Sequence, residues 1–150
     1  WAYMIGPDRS CFRSNDNGEP SGTAGKPILG QINSFGLTNV LIVVIRYFGG
    51  IKLGTSGLIV AYREAAAEAI KAGEIIECLV EAEVSFRFEY PFMNDVMRIV
   101  KEDHAQIISQ SFDMDCDMTL RIRQSEMDRL RSRLEKIDGL VIKGKEWEEN

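Results

Sequence analysis

In the second half of the chain, apolar and polar residues follow one another in clean periods. Val80, Ala82, Val84, Phe86 and Phe88 alternate with Glu81, Glu83, Ser85 and Arg87, which predicts a strand with one dry face and one wet face. Pro91 then opens a helix in which Phe92, Val96, Ile99 and Val100 share a side. Gln106 to Asp113 reads as a second strand and Met114-Asp115 as the hairpin that leads to a third. In that third strand Cys116, Met118, Leu120 and Ile122 alternate with Asp117, Thr119, Arg121 and Arg123. A second helix follows, with Ser125 as its cap and Asp128 three residues on, and with Met127, Leu130, Leu134 and Ile137 turned inward; Gly139 ends it. Leu140 to Trp147 is the last predicted strand. The order βαββαβ specifies a ferredoxin-like split sandwich with two helices on one face of the sheet and the other face open.

The first half is less regular. Val40 to Ile45, closed by Arg46, is an almost wholly apolar, β-branched run and predicts a strand buried on both faces. Four glycines then fall in nine positions, Gly49, Gly50, Gly54 and Gly57. Glycine at that density marks a tight turn or a close approach by another group. Beyond it Leu58, Tyr62, Ala65 and Ala69 lie on one helical face, with Thr55 or Ser56 placed to cap the first turn. Trp1 to Gly6 reads as a strand entered midway. From Pro7 to Gly36 the composition shifts to glycine, serine, asparagine and proline. Asn15 to Pro20 is a turn by chemistry, with Gly18 supplying positive φ, and a short helix begins at Thr23 to Pro27. Ser21 or Thr23 is its expected cap, and Ile28, Leu29 and Ile32 its inward residues. The fold class is α+β in two domains, 1–76 and 77–150.

Composition narrows the function. An apolar content of 45% over 150 residues is enough for a real core. No apolar run approaches the roughly 18 residues that span a membrane. Cys11, Cys78 and Cys116 are odd in number and far apart, and His104 is the single histidine, a pattern against a disulfide framework or a structural zinc site and for a reducing cytoplasm. His104, beside Asp103 at a helix end, reads as a solvated residue. The formal net charge of −5 is unevenly spread: residues 1–75 hold 7 basic and 6 acidic side chains, and residues 76–150 hold 11 and 17. An acidic second half repels a phosphate backbone, so any contact with nucleic acid belongs to the first half, around Arg46, Lys52 and Arg63. The open sheet face of the second half carries Glu81, Glu83, Ser85, Arg87, Thr119, Arg121 and Arg123, with no aromatic residue to stack a base as an RNA-recognition domain would. The mixed charges of the last helix, Arg129, Arg131, Arg133 and Lys136 beside Asp128 and Glu135, read as a solvated face.

Strand, glycine-rich turn and helix start together aim free N–H groups and a helix dipole at one point, which suits a phosphate or carboxylate. Known phosphate loops do not fit: Gly49, Gly54 and Ser56 have P-loop spacing, but Thr55 stands at the lysine position, and Lys52 lies inside the loop. The dinucleotide fingerprint also fails for want of a third glycine and a following acid. Asp16, Glu19 and Ser21 are expected in a polar pocket opposite Arg46 and Lys52; a plainer alternative has Glu19 or Asp16 simply pairing with Arg46 to satisfy a partly buried guanidinium. Asp16 and Glu19 supply too few oxygens for Mg²⁺, and no metal or other cofactor is expected.

RYFGGIKLG, followed by GL and then AY, resembles the signature of the YigZ/Impact family, and the upstream NDNGEPSGTAGKPIL resembles that family's other block, in the same order. Asn17 stands where the family commonly shows a second aspartate, and Ser56 replaces a glycine. The resemblance implies an Impact-type first domain similar to domain IV of elongation factor G and to a ribosomal-protein domain, followed by the ferredoxin-like tail of bacterial members. It also implies a further strand and helix ahead of Trp1, leaving the first domain incomplete at its start. The implied role is translation control or ribosome-linked nucleic-acid binding, and the first reading drawn from it is a non-enzymatic, cytoplasmic protein that contacts RNA, the ribosome or a translation-associated protein. The expected binding surface is Asp16, Glu19, Ser21 and Thr23 with Arg46, Tyr47, Gly49, Gly50, Lys52, Gly54, Gly57, Tyr62 and Arg63. Two alternatives stay open: an enzyme that seats a small anion on the glycine loop and uses Asp16 or Glu19 as acid/base, and a protein-interaction module with no small ligand.

Overall fold

A computed structural model describes residues 1–144, and the chain divides into two units, Trp1–Glu77 and Cys78 onward. In the first unit, β1 (Ala2–Ile5), β2 (Cys11–Ser14) and β3 (Val40–Ile42) form an antiparallel sheet in the order β2-β1-β3. Two helices, α1 (Gly25–Ser34) and α2 (Gly54–Ala72), complete it. Ala2, Met4 and Ile42 from the sheet meet Ile28 and Ile32 from α1 and Leu58, Tyr62, Ala66 and Ile70 from α2 in one core. The inward stripe of α2 therefore follows a strict spacing of four, Ala66 and Ile70 taking the places predicted for Ala65 and Ala69.

Three features of this unit differ from expectation. β2 lies in the polar stretch from Pro7 to Gly36, where no strand is predicted, because an edge strand whose side chains are mostly exposed has no hydrophobic period to betray it. β3 is not buried on both faces. Among the described residues it pairs only with β1, and Leu41, Val43 and Ile45 are exposed while Ile42 turns inward. The apolar run is thus the edge of a sheet covered on one side, and regular pairing stops at Ile42. Neither Thr55 nor Ser56 caps α2: the helix is entered at Gly54, with a φ of 76° that favours glycine, so both residues lie inside its first turn.

The start of α1 is held from a distance. Neither Ser21 nor Thr23 caps it, and the Thr23 hydroxyl donates instead to the Pro20 carbonyl at 2.6 Å. The acceptor is Asp16, which takes the Gly22 amide on Oδ2 at 2.9 Å and the Ala24 and Gly25 amides on Oδ1 at 3.1 and 2.8 Å. Those amides, Gly22 first and then Gly25 and Ala24, hold its carboxyl below the ordinary value of 3.8. The loop presses so closely on the helix that a Cβ on Gly25 would stand 2.7 Å from the Asn15 amide nitrogen.

In the second unit, β4 (Glu81–Phe88), α3 (Met93–Glu102), β5 (Gln106–Phe112), β6 (Cys116–Arg123), α4 (Met127–Glu135) and β7 (Val141–Ile142) follow the predicted βαββαβ order. The sheet runs β5-β6-β4-β7, all antiparallel, which is ferredoxin-like. Phe86, Phe88, Met118 and Leu120 bury against Val96, Leu130 and Leu134. Both helices begin with a 3-10 turn, Tyr90–Phe92 and Gln124–Glu126, and neither has a side-chain cap, so Ser125 is part of an entry turn and not a cap. The last strand is shorter than predicted, and residues 145–147 of that prediction lie outside the described residues.

The open face of this sheet is a ladder of cross-strand pairs. Arg87 meets Asp117, Ser85 meets Thr119 and Arg121 meets Glu83, each directly opposite its partner. Arg87 and then Lys143 hold the Asp117 carboxyl down to about 2. The charges on α4 are not merely solvated: Arg133 and Arg129 reach the buried Asp103 carboxylate at 2.7 and 3.3 Å, and Arg133 also pairs with Glu102. His104, exposed just beyond α3 with a φ of 54°, takes no part.

Removing the distant cap should be felt. Asp16→Ala is expected to destabilise the first unit by about 1–2 kcal/mol, read from a denaturant melt. Because the folded carboxyl is held below 3.8, its contribution is complete above that pH and fades as pH falls through the lower folded value. Wild type and Asp16→Asn should therefore differ most near neutrality and converge in strong acid; a constant gap would show that the three amide contacts do not set the difference.

Candidate functional site

The two segments marked by glycine, asparagine and proline meet in the first unit. A cavity of about 390 Å³ lies between the loop after β2 and the chain leaving β3, with Asp16, Asn17 and Glu19 on one side and Arg46 and Phe48 on the other. Trp1 and Tyr62 line it as well. Tyr62 is delivered by the buried face of α2, one turn beyond Leu58, so the same helical spacing that builds the core aims a hydroxyl at the loop.

Glu19 is the hub. The Tyr62 hydroxyl donates to its Oε1 at 2.7 Å, and Arg46 Nε stands 2.8 Å from the same oxygen. The Glu19 side chain is 15% exposed and that of Arg46 37%, so the carboxylate is the group that burial would penalise and the two donors are what make it tolerable. Burial, followed by the hydrogen bond and charge of Glu19, pushes the Tyr62 phenol up to about 12. The hydroxyl is thus a fixed donor across the physiological range. The Arg46 guanidinium also lies 5.8 Å from the centre of the Phe48 ring, a cation–π contact.

Of the residues the sequence singles out, Asp16, Glu19, Arg46 and Tyr62 come together here. Asp16 is turned to the backbone of its own loop, and Glu19 makes the pairing with Arg46 that the plainer alternative describes. Ser21 is exposed and does not line the cavity, and Thr23 is buried against Pro20. Tyr47, Gly49, Gly50 and Lys52 sit on the exposed loop that runs from Arg46 to Leu53; Gly54 and Gly57 belong to the first turn of α2, and Arg63 to its exposed side. Sequence reasoning passed over Trp1, Asn17 and Phe48 as site residues. Phe48 had a signal, an aromatic side chain beside two glycines in a loop with no core to enter.

With four tyrosines in the chain, the Glu19 contact can be read directly in a phenolate absorbance titration. One tyrosine should ionise near 12, and Glu19→Gln should bring it down, since a neutral amide removes the charge that opposes the phenolate. Absence of a phenol titrating near 12 would mean that Tyr62 is neither buried nor held by Glu19 as described.

Residues 1–70 match the Impact N-terminal domain. Over 148 residues the chain is 32% identical to an IMPACT family member of Haemophilus influenzae, covering 95% of this chain and 70% of that protein. It is 41% identical over 106 residues to the IMPACT family member in the pol 5' region of Thermus thermophilus, spanning 71% of this chain and 57% of the relative, and 46% identical over 76 residues to the family member YvyE of Bacillus subtilis, spanning 51% and 35%. A crystal structure of a hypothetical protein superimposes with a TM-score of 0.62 at 25% identity, covering 98% of this chain and 74% of that one. With the two sequence blocks folded into one cavity and a relative matched along most of both lengths, the chain belongs to the Impact family.

Proposed function

We propose that this chain is a non-enzymatic RNA-binding protein of the translation apparatus, taking single-stranded RNA on the loops Asp16–Thr23 and Arg46–Leu53. The observation that carries the reading is the make-up of the second loop. Tyr47 is 89% exposed and Phe48 63%, and they lie in the loop between Arg46 and the exposed Lys52, with Arg46 and Phe48 lining the cavity. Exposed aromatic rings interleaved with basic side chains are what stacks bases and follows a phosphate backbone. The translation context is what the Impact-type likeness implies. Two further features support a binding role: Asp16 and Glu19 are both engaged by protein donors, an arrangement poor for acid/base work, and Cys11 and Cys78 are free, exposed thiols suited to a reducing cytoplasm. In the second unit the open sheet face pairs Arg87 and Lys143 with Asp117 and Arg121 with Glu83, so contact with RNA is assigned to the first unit alone.

The test is a salt titration of binding to ribosomes and to total RNA. Affinity should fall as salt rises, and Lys52→Ala with Arg63→Ala should weaken binding and flatten the log–log salt slope by about 0.7 for each phosphate no longer neutralised. Absence of binding at every ionic strength would sink the reading. Binding to ribosomes that survives ribonuclease treatment would sink it too, by pointing to a protein partner.

A further inference from the structure

The cavity leaves an acceptor and a set of donors side by side. Oε1 of Glu19 is committed to Tyr62 and Arg46. Among the described residues, Oε2 of Glu19 takes no hydrogen bond and the two Nη nitrogens of Arg46 give none. Both side chains are nevertheless held in place, Glu19 by the phenol of a core helix and Arg46 by Glu19 and the Phe48 ring. Trp1, stacked on Tyr3 with 6.0 Å between ring centres and planes 5° apart, gives the cavity a second aromatic wall. A volume of about 390 Å³ falls within the range of small-ligand clefts.

We propose that this cavity receives one unstacked base of the RNA strand and selects guanine, read by Glu19 and Arg46. The inference rests on the RNA-binding reading above and goes beyond it by naming a base and the side chains that discriminate it. An ionised carboxylate only accepts hydrogen bonds and a guanidinium only donates them. Guanine alone among the four RNA bases sets two adjacent donors, N1–H and N2–H₂, beside the acceptor O6, with N7 accepting round the corner. Its donor pair suits the free oxygen of Glu19, and O6 with N7 suits the Nη atoms of Arg46, the commonest specific contact between arginine and a base. Adenine and cytosine place a ring-nitrogen lone pair next to their amino group, where it opposes a carboxylate. Uracil has one N–H between two carbonyl oxygens. Stacking on Phe48 or Trp1 adds affinity for any base and so carries no selection.

The experiment titrates the whole chain against four single-stranded uridine oligomers that carry G, A, C or U at one central position, followed by fluorescence anisotropy. The oligomer with G should bind about tenfold more tightly than each of the others, the size that one good bidentate base contact supplies. Glu19→Gln should erase that preference. Arg46→Lys, which keeps the charge and loses the planar fork, should reduce it sharply. Circular dichroism checks that each variant is folded, and Arg46→Lys decides the matter if Glu19→Gln does not fold. Equal affinity for all four oligomers, or preference for another base, overturns the guanine site and leaves RNA binding standing. No binding to any oligomer at low salt removes both.

Discussion

A carboxylate that is mostly out of water must be answered by donors, and in this protein the answer to Glu19 organises the first unit around the cavity. Tyr62 comes from a helix whose other inward residues are core, and Arg46 comes from the chain leaving the edge of the sheet. Tying both to one oxygen fixes the loop after β2 against α2 and against the end of β3. The cation–π contact with Phe48 gives the guanidinium a second neighbour. Geometry that a flexible loop could not hold alone is imposed by a group that cannot be left unsatisfied.

The same loop carries a second acid with a different job. Asp16 gathers three backbone amides and so replaces the missing cap of α1, while Glu19, three residues on, faces side chains. Their environments differ in kind: one is locked into the path of the backbone, and the other keeps a free oxygen toward the cavity. Two acids close together invite an acid/base or metal interpretation, and the contacts give each a structural partner first. In the second unit the charges are likewise answered by neighbours, across the sheet through Asp117 and Glu83 and between helices through Asp103.

Much of this was legible in the residue order, for reasons that differ between units. β4 and β6 could be read because each is covered on one face only, and alternation over eight residues has no other economical explanation. β2 is an edge strand with an exposed Cys11, Phe12 and Arg13, so burial left no period in its sequence. The apolar run after Val40 misled in the opposite sense, since composition reports what a strand would like to cover and not what lies against it. The cavity was legible as two glycine-marked blocks that had to meet; which acid would face Arg46 was not, because Asp16 and Glu19 have the same chemistry and only tertiary placement separates them. Helix caps were the least legible: a side chain distant in sequence takes the place of the local residue at α1, short entry turns take it at α3 and α4, and α2 is entered at a positive-φ glycine with no side-chain cap.

Gly25 has a consequence for how such a protein can vary. With the Asn15 amide so near the place a side chain would occupy, any other residue at this position would force loop and helix apart, and with them the amides that Asp16 gathers. The route of the loop is in effect frozen by the start of α1. Descendants of this sequence are free to repaint the loop by exchanging exposed side chains such as Ser21, but they cannot reroute it one substitution at a time.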